Sequence, residues 1–448
     1  LTEIAAPAPL TREEAAPVAL PGGDPAWLAA IRQAAAAAYR EAPWPSSARD
    51  EDWHRTPQIE RLDPASFAVA VGGGKDLPEY VRLALARPPA GAGALATLVS
   101  DQRGNLELGT SAPPVVLELE AGIEAEPELW RSVLGTVAAP GLRKWVSLNT
   151  IRARGGACIH VGRGQSPDGY VRLVHGVDQG SISFPRVLIK LEEGSSLTVL
   201  EEWVSPERDA SVLAPVVEVE LARGSHLTHL VRQTCGDRTI VQSTVRVNVG
   251  QEARYDGRWI MLGSAWLKSH LEVLMLGEGS DARLVGLCLG DGKQHFDVQT
   301  LQDHIARGAV SDLLYRVAVA GQSRSVYAGL IRVEEGAQKT NAYVQNRNLL
   351  LSPVAKADSN PTLEILANDV RCTHGSTAGR IDDNHLFYCQ SRGIGREQAR
   401  RLIVEGFFAD VIDSFPEGDL RESTGRLVLS GLERLVRSGA LVGSTPDP

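Results

Sequence analysis

The chain of 448 residues has little sulfur and little aromatic surface: five cysteines, two methionines and 5% aromatic residues. The cysteines are Cys158, Cys235, Cys288, Cys372 and Cys389, an odd number at wide spacing with no CxxC pair. That argues against a disulfide framework and against a self-contained four-cysteine zinc or iron–sulfur site. Each cysteine reads first as a small buried apolar residue, and a reducing cytoplasm suits that usage. No apolar run reaches the ~18 residues of a membrane span. The start of the chain is Ala- and Pro-rich with acidic residues and lacks the basic opening of a signal peptide. Long basic runs are absent, and 46 basic against 55 acidic residues leave a net charge of −9, so a general nucleic-acid binder is disfavoured. No GxSxG, HExxH or GxGxxG fingerprint occurs. Gly72-Gly73-Gly74-Lys75 is followed by Asp76, where a phosphate loop needs Ser or Thr. The sequence therefore advertises no catalytic machinery, and the chain is read as a non-enzyme.

What the chain does have is core-forming material, with 43% apolar residues, and 44 glycines. Residues 1–23 read as a mobile tail. Asp24-Pro25 then opens a helix through Trp27, Leu28, Ile31 and Tyr39, closed by Pro43 and Pro45. Residues 24–112 form a helical and mixed region. The charged stretch Arg49–Thr56 around Trp53 reads as a solvated turn with one anchoring aromatic. From about residue 113 the pattern has a period of two. Leu117 and Leu119 alternate with glutamates, as do Val217, Val219 and Leu221, and Val245, Val247 and Val249 alternate with Arg246 and Asn248. A weak repeat ends at Gly194, Gly224, Gly250, Gly279, Gly308 and Gly336. Strand-rich units of that length suit a β-helix spanning 113–380, with an antiparallel sandwich as the alternative. Residues 381–448 read as helical. Ala399, Leu402, Ile403, Gly406, Phe407 and Val411 follow one helix face, and Leu427, Leu432, Leu435 and Val436 another.

The stretch Asp369–Gly379 (DVRCTHGSTAG) carries the most chemistry. Cys372 and His374 are two apart, so on a strand both face the same side. Thiolate and imidazole suit zinc, copper or iron–sulfur ligation, but two ligands do not close a site. A buried Cys beside a backbone-bonded His is the plainer alternative. His226 and His229 fall on opposite strand faces. His295 and Asp297 share one and read first as hydrogen-bonded partners. Asp382-Asp383 reads as a helix cap.

These residues resemble the SufB/SufD family of the SUF iron–sulfur cluster assembly system. The resemblance rests on Ile331–Ser352 (IRVEEGAQKTNAYVQNRNLLLS) and Pro361–Ile394 (PTLEILANDVRCTHGSTAGRIDDNHLFYCQSRGI), supported by QHFDVQT and RDEDWHRT. Where SufB-type proteins carry a Cys- and His-bearing segment, this chain reads LLLSPVAKADSNP, and CTHGST and SRGI are SufD-like forms. The resemblance implies a right-handed parallel β-helix flanked by N- and C-terminal helical regions. It implies a non-catalytic partner of a SufB-type scaffold and a SufC-type ATPase. The nascent iron–sulfur cluster would be shared with the SufB-type subunit and not held stably by this chain alone. His374 matches the family's histidine at that interface and Cys372 a neighbouring cysteine. Leu402, Ile403, Phe407 and Phe408 are the residues expected to meet the ATPase. A homodimer in isolation stays open. The rivals are a carbohydrate-active β-helix enzyme and a SufB-like homodimeric scaffold.

Overall fold

The computed structural model describes residues 10–20, 22–69, 78–87, 94–101, 104–109, 115–207 and 209–437. The Gly72–Lys75 run lies outside them. The helices are α1 (Ala26–Glu41), α2 (Glu79–Ala86), α3 (Leu119–Ala125), α4 (Pro127–Arg131), α5 (Lys144–Arg152), α6 (Asp383–Ser391), α7 (Arg396–Asp413) and α8 (Asp419–Arg437). Between α5 and α6 the chain winds as a parallel β-solenoid. Successive strands fall alternately in two sheets, and each pairs with the strand one full turn later. Trp266–Met275 pairs with His295–His304, which pairs with Arg324–Val333. Asp281–Gly290 and Val310–Val319 do the same in the opposite sheet.

Alternation decides what fills the interior. Val217, Val219 and Leu221 point inward, as do Val245, Val247 and Val249, all at most 1% exposed. They form one continuous core along the coil axis. At roughly 25 cal/mol per Å² of apolar surface, stacking turns is the main stabilising term, and no single turn buries its own face.

The corners explain the glycine repeat and correct its phase. Gly194, Gly224, Gly279 and Gly308 adopt φ between 63° and 72°. Each donates its N–H to the next turn, as Gly224 does to the Gln251 carbonyl (2.8 Å). In two turns the left-handed place belongs to Glu252 (φ 54°) and Lys339 (φ 65°), not to Gly250 or Gly336. Glu252 and Lys339 make the same bond, to Glu278 (2.9 Å) and Asp369 (2.7 Å). That bond holds a side chain where glycine would be the cheaper choice.

Both outer faces are covered. On one sheet α5 and its neighbours sit over a charged layer. Glu218 accepts from Arg186 and from the N–H groups of Gly135 and Ala138, with Arg186 and Glu218 both essentially inaccessible. Arg49–Thr56 is docked there rather than solvated: Trp53 is buried and Thr56 is fully enclosed. Lys268 donates to Asp297 (2.8 Å), Thr56 also donates to Asp297, and His295 Nε2 lies 3.0 Å from the Thr56 hydroxyl. On the other sheet α7 and α8 bury Val404, Phe408, Val411, Leu432 and Leu435 against Leu230, Ile260 and Leu287. Arg232 donates to the Leu420 carbonyl (2.8 Å) and to Ser423 and Thr424 on α8.

Two further expectations need correcting. Part of the stretch read as a mobile tail is packed: Leu10, Ala15 and Leu20 are buried, and Val18 N–H bonds the Ile151 carbonyl (3.1 Å). The Leu117/Leu119 alternation is cut short, because the strand ends at Glu118 and Leu119 opens α3.

Candidate functional site

The solenoid ends differ. At the first turns, strand Gly155–Val161 is flanked by the antiparallel strand Val115–Glu118. Tyr170–Gly176 is flanked by Ala94–Asp101, itself followed by antiparallel Gly104–Gly109. At the last turn, Lys356–Ile365 and Arg371–Arg380 each have a strand on one side only among the described residues. Their outer backbone edges are free, and nearly every side chain is at least partly exposed.

Cys372 and His374 lie on this last strand, paired with Ala342 and Val344. Ala342 and Val344 belong to the interior core, so Cys372 and His374 continue its inward-facing row at the open mouth. Cys372 packs against that core and is half-buried, whereas His374 is exposed. Burial raises the Cys372 thiol above its ordinary range, partly offset by a backbone hydrogen bond from Ala342. The thiol must lose its proton to bind a metal. Across the mouth, Ser359 and Leu363 occupy the matching inward places, opposite Tyr327 and Ile331. Among the described residues no group of three His, Cys, Asp or Glu side chains converges as a metal site. The mouth offers ligands but not a full set.

The other cysteines differ from Cys372. Burial pushes Cys235 and Cys288 up to about 12 and Cys158 well above its usual value. All three are enclosed, while Cys389 is half-buried on α6. His229 faces the interior, with Nε2 2.8 Å from Glu201 and Nδ1 3.0 Å from the Tyr255 hydroxyl. His226 faces outward, 2.8 Å from Asp256.

The last strand runs into α6, whose first turn is capped by Asp382 accepting from Asn384 N–H (2.8 Å). On α7 the buried stripe is Ala399, Val404, Phe408 and Val411, rotated from the sequence reading. Phe408 is fully buried, which removes it from any docking face. Phe407 is half-buried with the Arg316 guanidinium over its ring, and Ile403 is also half-buried. Leu402 is exposed. The periodicity misled because Leu402-Ile403-Val404 and Phe407-Phe408 put apolar residues on two adjacent faces. The largest exposed aromatics are Phe387 and Tyr388 on α6, at 73% and 61%. The sequence reading missed them, because no apolar periodicity in α6 separates an exposed Phe-Tyr pair from a buried one. No helix among the described residues is long and apolar enough to cross a membrane.

The SufBD core domain of the SUF system of iron–sulfur cluster assembly matches residues 174–407. An iron–sulfur cluster assembly SufBD family protein of Mycobacterium tuberculosis is 33% identical over 258 residues, covering 56% of this chain and 64% of that protein. SufD of Escherichia coli is 30% identical over 270 residues, 59% of this chain and 64% of its own length. SufD of Bacillus subtilis is 27% identical over 302 residues, 66% and 67% respectively. The chain thus spans slightly under two thirds of the first two relatives. The match covers the solenoid from the end of its first turn through the open mouth into α7, and the chain belongs to the SufBD core family of iron–sulfur cluster assembly proteins.

Proposed function

We propose that this chain is the SufD-type, non-catalytic subunit of an iron–sulfur assembly scaffold. Its open solenoid end would pair with a SufB-type subunit, and its C-terminal helices would meet a SufC-type ATPase. The observation that carries the reading is the open last turn. Two ten-residue strands with free edges form a template for further pairing. Cys372 and His374 stand at its mouth as an incomplete donor pair, which a partner strand laid on the edge could complete. His374 is the better-placed ligand because it is exposed and needs no desolvated thiol. The cluster is cargo: imidazole and, once deprotonated, thiolate supply donors while iron and sulfide are assembled, and the partner supplies the rest.

For the ATPase, the exposed Phe387, Tyr388 and Leu402 are the contacts to test, with Phe407 and Ile403 at the margin. Exposed aromatics on a helix pair suit the centre of a docking patch.

The test is co-purification with SufB- and SufC-type proteins, with iron and sulfide measured on the anaerobically reconstituted product. His374→Ala should leave the complex intact and lower bound iron and sulfide by about tenfold or more, since even loss of a ligand's outer-shell partner costs that much. Cluster loading unchanged by His374→Ala removes that residue from the site. A stable coloured cluster on the isolated chain overturns the accessory role. Tyr388→Glu should weaken ATPase binding without changing the circular dichroism spectrum.

A further inference from the structure

The N-terminal layer meets the solenoid across a small cavity of about 30 Å³. That volume holds one small ion or one or two waters. Its walls include Arg143, Lys144, Trp145, Gln242, Thr244 and His270, and no carboxylate lines it. Three buried N–H donors on these walls have no acceptor among the described residues: Arg143 Nη1, Trp145 Nε1 and Gln242 Nε2. Trp145 and Gln242 are only 6% and 4% exposed, so bulk water does not serve them. A buried donor left unpaired is destabilising, and three at one cavity are too many to leave unmatched.

A second observation points the same way. α5 begins at this cavity. Its N-cap is Arg143, which makes no side-chain cap, and its first turn carries no acidic residue. The first N–H groups of a helix and the positive end of its dipole favour negative charge. Here the sequence places two cations, Arg143 and Lys144, where helices ordinarily carry Asp or Glu. The nearby carboxylates are already engaged: Glu272 by Arg143 and Arg246, and Asp52 by His270 and Lys268. Lys144 spends its ammonium on the Tyr39 and Ala42 carbonyls. A water would have to donate as well as accept, whereas the unpartnered buried groups of the lining residues are all donors. A monoatomic anion matches those donors, the positive field and the volume together.

We propose that this cavity binds one small spherical anion of the halide class, clamped between the start of α5 and the solenoid sheet. The anion joins the helical layer to the coil as an internal counter-ion, far in sequence from the open mouth and independent of the scaffold role.

The test uses the full chain, with bromide as the probe. Crystals soaked in bromide should show an anomalous peak in this cavity. In solution, chloride or bromide should raise the unfolding midpoint saturably, by about 2 °C, relative to gluconate at equal ionic strength. Gln242→Glu supplies the negative charge internally and should abolish both the peak and the halide dependence. Trp145→Phe keeps the ring, removes one donor and should weaken the halide effect several-fold. Density no stronger than water in the bromide crystal overturns the proposal, as does an equal response to bromide and gluconate. Bromide seen only at crystal concentration, with no midpoint shift, overturns it too. Halide dependence that survives in folded Gln242→Glu does the same.

Discussion

The two ends of the solenoid are built from the same kind of strand and treated in opposite ways. At the closed end Cys158 lies beneath α3 and α4 and Ile159 in the interior core, both essentially inaccessible, and an antiparallel strand flanks them. At the open end Arg371–Arg380 has no fully buried residue. A parallel coil of this kind leaves two sets of free strand edges, and covering them is the ordinary defence against aggregation. One end finishes in antiparallel strands packed under helices and the other in exposed parallel strands with polar side chains, and the proposed pairing rests on that asymmetry.

Mutations can break or sharpen that contrast. The largest effect belongs to the closed end. Ile159→Ala removes a side chain from the continuous core, and should cost about 2–5 kcal/mol in urea unfolding followed by tryptophan fluorescence. A smaller cost would mean that the cover strand yields and the end is less sealed than its burial indicates.

Acid is next. His295 and His304 are buried, and burial depresses both to about 4, with Asp297 partly opposing the shift at His295. Their unfolded value is ~6.5, so between these limits the unfolded chain binds more protons. Stability is therefore full above pH ~6.5 and is lost as pH falls through 4, by roughly 3 kcal/mol for each histidine. A His304→Gln variant should flatten that slope by about half. An unchanged slope would assign the acid sensitivity elsewhere.

At the open end the same operations should do little. Leu363→Ala, half-buried against the last of the core, should cost under about 1 kcal/mol. His374→Ala should stay within about 0.5 kcal/mol of the parent, as exposed substitutions do. A cost above 2 kcal/mol at His374 would make it a structural residue and weaken its assignment as a ligand.

The solenoid was legible in the sequence because strand alternation is a local property: Val217, Val219 and Leu221 announce their inward row unaided. The corner column was legible only where glycine marks it. At Glu252 and Lys339 the hydrogen bond to the next turn, not residue type, fixes the left-handed backbone, and single-sequence reading slid onto Gly250 and Gly336. The Asp52–Thr56 segment looked solvated because its partners, Lys268, His270 and Asp297, lie more than two hundred residues away. Phe408 and Phe407 could not be told apart, since which neighbour of an apolar pair is buried depends on the sheet beneath. His374 was singled out by its spacing from Cys372 and by resemblance. The mouth that gives the pair its setting is a property of the whole coil.

The Arg232 clasp has a mechanical consequence. α8 is held at the middle of the coil by Arg232, α7 is tied there through Arg258 to the Ser414 carbonyl and through Arg316 to Asp410, and Arg400 of α7 reaches the Leu351 carbonyl near the mouth. The C-terminal helices therefore form a brace running beside the column from its open end back to its waist. Load applied to that brace is shared between rungs instead of falling on the last strand alone. The free edge then tilts as part of a stiff body and does not peel away from it.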